Sequence, residues 1–321
     1  MTRLGYQIPN FTYPNSSPAD IFQSVVTQAK AAEESGFDRV FVMDHLYQLP
    51  GIGAHDEPML ECYTMLAALA QHTEKVRLSA LVTGNTYRNP GLLAKTVTTL
   101  DHVSNGRATL GIGAGWFEQE HDAFGYEFGT FTDRFEKLEE ALQIIIPMLR
   151  DERPSLDGKH YTADEIANSP APISRIPIMI GGSGEKKTLR MVAQYADESN
   201  LASGELSEIP RKLDALAAHC ERLGRDRSEI KVTKLLMGVV APTMEEAEAD
   251  LNEMGATKGW GPEIIEMAKT ILTVGDPDTV GEWLADAKAT GIDGITISLP
   301  ANGHKPDRIH LLAEVANKAF D

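Results

Sequence analysis

An aspartate and a histidine stand side by side where the apolar run VFVMDHL (40–46) ends. Two further runs end in a similar way. LGIGAGWFE (110–118) passes from apolar residues alternating with glycines into an aromatic pair. IPIMIGGSGEKKTLR (176–190) passes into a glycine-serine loop and then a helical pattern. A carboxylate and an imidazole at a strand end suit hydrogen bonding to a ring and proton transfer near neutral pH. The competing reading makes Asp44 a cap for the next turn and His45 a filler of the rim. Local sequence leaves both open.

The glycines point to close backbone approach. Gly111, Gly113 and Gly115 fall short of the dinucleotide fingerprint GxGxxG, because Trp116 takes its last position. A glycine-rich strand end followed by Trp116 and Phe117 fits a surface against which a planar ring can lie; a tight turn with a core aromatic pair is the alternative. Gly181, Gly182, Ser183 and Gly184 lie between a buried run and a helix start. Free N–H groups and a positive helix end make such a loop an anion site. No GK[ST] follows at P-loop spacing. Lys186 and Lys187 read equally well as solvated helix residues.

Other chemistries find little support. The nine histidines form no HExxH or comparable metal-ligand spacing, so no metal is expected. Glu118, Glu120 and His121 read as a polar helix start. No GxSxG elbow is present, which argues against a hydrolase.

Strand-like runs fall near 4–8, 39–43, 76–81, 108–112, 177–180, 199–202, 231–239 and 294–298. Most are apolar at consecutive positions, as in strands buried on both faces. Helical patterns alternate with them. Phe22, Val25, Val26, Ala29 and Ala32 mark one face of the first, with Ser17 and Pro18 at its start. Asn89-Pro90 and Asp276-Pro277 open two others, and Thr243 with Glu246 reads as a capping box. Eight strands alternating with helices predict a (β/α)8 TIM barrel, with loops at one face carrying the chemistry. A doubly wound sheet would want a glycine fingerprint after its first strand, and 6–11 has none. Two regions exceed the repeat: 153–172, read as a hairpin inserted before strand five, and 242–273, extra helix after strand seven and a lid candidate. No linker divides the chain, so one domain over 1–321 is expected.

Composition narrows the partners. The net charge is −17, from 47 acidic and 30 basic residues, which argues against nucleic acid or an anionic membrane as the main partner. No apolar run reaches the length of a membrane span. The start MTRLGYQIPNF lacks a signal peptide's apolar stretch, and Cys62 and Cys220 form no CxxC pair. A reduced, cytoplasmic setting is expected.

Taken together, the residues resemble the luciferase-like monooxygenase superfamily, and within it the deazaflavin (coenzyme F420)-dependent oxidoreductases. The resemblance is carried by GFDRVFVMDHL, LVTGNTYRNPGLLAKTVTTLD, SNGRATLGIGAGWFEQEHDAFG, RFEKLEEALQII, GGSGEKKTLRMVAQYAD and GDPDTVGEWLADAKATGIDGITIS. It implies that Asp44 and His45 lie beside the deazaflavin, with His45 the proton donor or substrate anchor. It implies a bulge at Ala80-Leu81, with a non-proline cis peptide at that bond, and a ring contact at Thr83. Ala114 and Gly115 correspond to backbone contacts with the cofactor, and Gly181, Gly182, Gly184 and Glu185 to the phosphate loop. One departure matters: the sugar-phosphate dehydrogenases of this branch carry a catalytic glutamate where this chain has Trp116. A reductase of a small organic substrate, using reduced F420, fits better than oxidation of a sugar hydroxyl. The resemblance also implies a homodimer. The alternatives are an FMN-dependent monooxygenase of the same superfamily and a non-catalytic deazaflavin-binding protein.

Overall fold

The computed structural model describes residues 3–202 and 204–320. Eight parallel strands form the barrel: β1 Arg3–Ile8, β2 Arg39–Val42, β3 Arg77–Ala80, β4 Leu110–Gly113, β5 Ile178–Gly181, β6 Glu198–Leu201, β7 Lys231–Val240 and β8 Gly294–Ser298. Around the barrel they run β3-β2-β1-β8-β7-β6-β5-β4. The gap between β3 and β4 is bridged at Leu78 and Ala108. There Leu78 N–H donates to Arg107 O and Thr109 N–H to Leu78 O, both at 3.0 Å. Beyond β3 the two-residue strand Thr83–Gly84 pairs with Ile112 and Gly113 of β4. All eight strands expected from the sequence are present, with ends shifted by a residue or two.

Side chains alternate across each strand. Outward residues such as Tyr6, Val40, Leu78, Leu110, Ile178 and Ile297 are buried under the helices and make the main core. The interior holds a different set. Arg39 of β2 reaches Glu198 of β6, with nitrogen–oxygen distances of 2.5 and 3.1 Å. These strands are not neighbours, so the ion pair crosses the barrel. Asn200 donates to Thr233 at 2.9 Å in the same interior. Phe41, Leu81 and Met179 form a separate apolar cluster with Val82 and Leu235.

The helices are α1 Ile21–Glu34, α2 Cys62–Ala70, α3 Pro90–Val103, α4 Glu118–Phe124, α5 Phe131–Met148, α6 Thr188–Tyr195, α7 Ile209–Leu223, α8 Met244–Thr257, α9 Pro262–Ile271, α10 Pro277–Ala289 and α11 Pro306–Phe320. Asn89 caps α3 by accepting from Gly91 N and Leu92 N, ahead of Pro90. Asp276 caps α10 through Thr279 N. Thr243 caps α8 by accepting from Glu246 N at 3.2 Å, the forward half of the expected box. Both expected insertions are present. Leu156–Asp157 and Thr162–Ala163 pair antiparallel before β5. After β7 come α8, α9 and the short strand Thr273–Gly275, which pairs with the end of β7. Among the described residues, no helix is long and apolar enough to cross a membrane.

Candidate active site

His45 follows β2 at the C-terminal face of the barrel. Its Nδ1 lies 2.9 Å from Oε2 of Glu120, in α4. Glu120 is fully buried and also accepts N–H bonds from Leu46 at 2.5 Å and Tyr47 at 2.8 Å, and the hydroxyl of Tyr87. Burial works against its charge, but the bonds from His45, Tyr87 and Tyr47 prevail and hold its carboxyl below the usual range. An ionised carboxylate only accepts, so His45 Nδ1 carries the proton and donates. Nε2 is then the nitrogen left for a reacting group. The imidazole also meets the rings of Trp116 and Phe117 edge-on at 5.7 and 5.9 Å.

Asp44 is buried and spends its oxygens locally. Arg88 donates to both, at 2.6 and 2.9 Å, and Gly84 N–H donates to one at 3.2 Å. Burial pushes the Asp44 carboxyl up, against the pull of Arg88. Burial also opposes the Arg88 charge, yet Asp44 holds that guanidinium firmly protonated. The fork geometry matches a carboxylate in two bonds and fixes the segment after β3. Thr83, expected near the ring edge, shares a 2.5 Å hydrogen bond between its Oγ1 and Tyr63 OH.

The bulge after β3 lies one bond later than the resemblance implies. The non-proline cis bond is Leu81–Val82, and Ala80–Leu81 is not cis. Leu81 N–H still donates to Val42 O at 2.9 Å, so the ladder runs one residue further before the chain kinks. Val82 then packs where neighbours carry no side chain. A Cβ on Gly181 would lie 2.7 Å from Val82 Cγ1, and one on Gly113 3.0 Å from its Cγ2. A Cβ on Gly111 would collide with Ala80 O. Gly115, at φ 79°, leaves 2.7 Å between such a Cβ and Thr86 Oγ1. Beside it Ala114 is half-buried. Ala80, Leu81, Thr83, Ala114, Gly115 and Gly181 thus lie close together where β3, β4 and β5 end, with Ala80 and Thr83 fully buried.

The loop after β5 turns through Gly182 at φ 126°, a conformation rare for other residues. Cβ atoms on Gly182 and Gly184 would lie 3.2 and 3.1 Å from Thr188, the first residue of α6. The Gly182 N–H, expected to be free, donates to Asn200 O at 3.0 Å. An anion would therefore have to be met by other donors of this loop. The Glu185 carboxylate pairs with Arg211 of α7, and its carbonyl accepts from His219 Nε2 at 2.8 Å. The guanidinium offsets the repulsion a bare carboxylate would offer a phosphate.

The residues 2–294 match the model of the luciferase-like monooxygenases. The chain belongs to that family. The luciferase-like chain is thus an oxidoreductase. It is 31% identical over 249 residues to an F420-dependent glucose-6-phosphate dehydrogenase of Microbacterium testaceum, covering 77% of this chain and 70% of that one. It is 31% identical over 247 residues to the pyrimidine monooxygenase RutA of Caulobacter vibrioides, covering 74% and 66%. An F420-dependent secondary alcohol dehydrogenase in complex with an F420–acetone adduct shares the fold at TM-score 0.79 and 21% identity, covering 100% of this chain and 99% of that one.

Several residues of this luciferase-like site escaped the sequence reading. Glu120 read as part of a polar helix start, yet it is buried and orients His45. His121, next to it, is buried too; its Nδ1 donates to Phe117 O at 2.8 Å, so Nε2 accepts from Thr86 Oγ1 at 2.7 Å. Arg88 and Val82 carried no signal of their own. The clue available for the first pair was spacing. Glu120 and His121 lie on a short helix directly after the glycine-rich strand end, where side chains turn back toward the mouth. Away from the mouth, Asp133, Glu136 and His160 offer ligand atoms within 4.8 Å of one another. The Lys159 ammonium already lies 2.8 Å from Glu136 and 3.4 Å from Asp133.

Proposed function

We propose that this protein is an F420-dependent oxidoreductase that reduces a small organic substrate with an electron-poor C=C, C=N or carbonyl group. The observation that carries the reading is the His45–Glu120 pair at the C-terminal face of the barrel. The F420-dependent relatives support it. The residues fit the cofactor: the backbone turn at 182–184 opens onto a helix start, and His45 presents Nε2 at the same face of the barrel. When bound, F420 supplies the hydride.

The chain's own residues do the rest. Glu120 fixes the tautomer of His45 and the direction of Nε2, and His45 at Nε2 delivers or accepts the proton that accompanies reduction. Asp44 and Arg88 hold Gly84, and with it the segment that backs the ring. Trp116 and Phe117 shield the imidazole from bulk water. Leu81, Ala114 and Gly115 would contact the ring, Ala80 and Thr83 would support it from buried positions, and Gly181, Gly182, Gly184 and Glu185 would form the turn that receives the phosphate. The reading includes a single domain, a cytoplasmic setting and a homodimer.

The similarity to RutA favours a second reading, an FMN-dependent monooxygenase. The two differ in their need for oxygen. Under anaerobic conditions the enzyme should oxidise reduced F420 in the presence of a conjugated ketone such as cyclohex-2-en-1-one. Turnover only with reduced FMN and oxygen would reject the proposal.

A further inference from the structure

The insertion after β7 leaves an apolar helix face uncovered. Ile264, Met267 and Ile271 of α9 share one side of the helix and are 42, 51 and 49% exposed. With Trp260 they wall one side of a cleft of about 370 Å³. The facing wall is the turn around Gly53 and Ala54. That turn belongs to the loop between β2 and α2, which also carries His45. Near the start of the loop Tyr47 meets His55 edge-on at 5.7 Å, folding the loop back on itself. The cleft and the candidate proton donor therefore share the loop of residues 43–61, folded so that His55, next to the cleft-lining Ala54, meets Tyr47.

The charge in the cleft is already matched. The Lys258 side chain has no exposed surface and pairs with Glu57, joining the end of α8 to the β2 loop. Glu57 also accepts from Ala54 N–H at 3.0 Å. A charged ligand would find no spare partner in this pair, whereas an apolar one would find indole and aliphatic walls. The volume falls within the range of small-molecule sites, roughly 300–1,000 Å³.

We propose that this cleft binds the apolar part of the substrate, so that the enzyme acts on molecules carrying an aliphatic portion of several carbons beside the reducible group. This deepens the reading of the site above and rests on it for the reaction, but binding in the cleft requires neither cofactor nor turnover.

The test uses unreactive straight-chain alcohols, from butanol through hexanol to octanol, with the full chain, cofactor-free and F420-loaded, followed by calorimetry. Affinity should rise about two- to fourfold per methylene. Met267→Asp, an exposed position, should weaken octanol binding at least about fivefold. Ile264→Asn should act in the same direction if the first variant folds poorly. Affinity independent of chain length, or both variants binding octanol as the native protein does, would overturn the proposal. So would a change in sedimentation of the variants with octanol binding intact, which would make the cleft a subunit interface. Failure of F420 to bind would leave the alcohol result standing, and the reverse also holds.

Discussion

His45 Nδ1 sits 2.9 Å from Glu120 Oε2, and Glu120 has no contact with solvent. A buried carboxylate that also receives Leu46 N–H, Tyr47 N–H and the Tyr87 hydroxyl cannot swing away, so the imidazole it holds has one orientation. The arrangement resembles the carboxylate–imidazole half of a hydrolytic triad, in which the acid sets the tautomer and is not itself protonated.

Replacing His45 with alanine should lower kcat by about 10²–10⁴-fold, the contribution typical of a positioned acid–base group. Glu120→Gln should lower kcat in the same direction by a smaller factor. In both variants the F420 dissociation constant should stay near the native value. Titration and steady-state kinetics separate the two effects. Loss of F420 affinity with kcat of the saturated enzyme intact would make the pair a cofactor clamp.

Much of this site was legible in the sequence, and the illegible part has a common cause. The strand ends, the glycines and the caps at Asn89 and Asp276 follow from local patterns, because each depends on residues a few positions apart. Glu120 does not. Its burial depends on His45, 75 positions earlier, and the same letters on an exposed α4 would be a solvated helix start. Arg88 likewise carries no local sign of its partner, because Asp44, which accepts from its two terminal nitrogens, lies 44 positions away. The cis bond at Leu81–Val82 lies one residue beyond the position the resemblance implies, and the extra ladder bond to Val42 leaves no mark in the local sequence.

Acid should unfold the protein through a few particular carboxylates. Burial opposes the Glu33 charge, but N–H bonds from Val76, Lys75 and Glu74 hold its carboxyl below its ordinary value of 4.5. Glu120 is lowered from the same value by His45, Tyr87 and Tyr47. A folded-state value below the unfolded one means stability is fully present above the unfolded value and is lost as pH falls through the folded one. The melting temperature should therefore hold steady down to about pH 4.5 and fall below it. Glu33→Gln should flatten that fall. A melting temperature that drops equally steeply in the variant would show that Glu33 contributes nothing to it.

Gly182→Asp should weaken F420 binding sharply. The position has φ 126°, little room before Thr188, and lies in the loop proposed to receive the phosphate. The new carboxylate adds like-charge repulsion to backbone strain. Gly182→Ala carries the strain without the charge and should weaken binding less. Equal dissociation constants for the two variants, with the fold intact by circular dichroism, would place the phosphate elsewhere.

The measurement that bears most directly on the central claim is an equilibrium fluorescence titration of the purified protein with F420 and, separately, with FMN. Here the account predicts saturable binding of F420 at markedly lower concentration than FMN. Tighter binding of FMN would contradict it and move the protein to the flavin-dependent monooxygenases of its family.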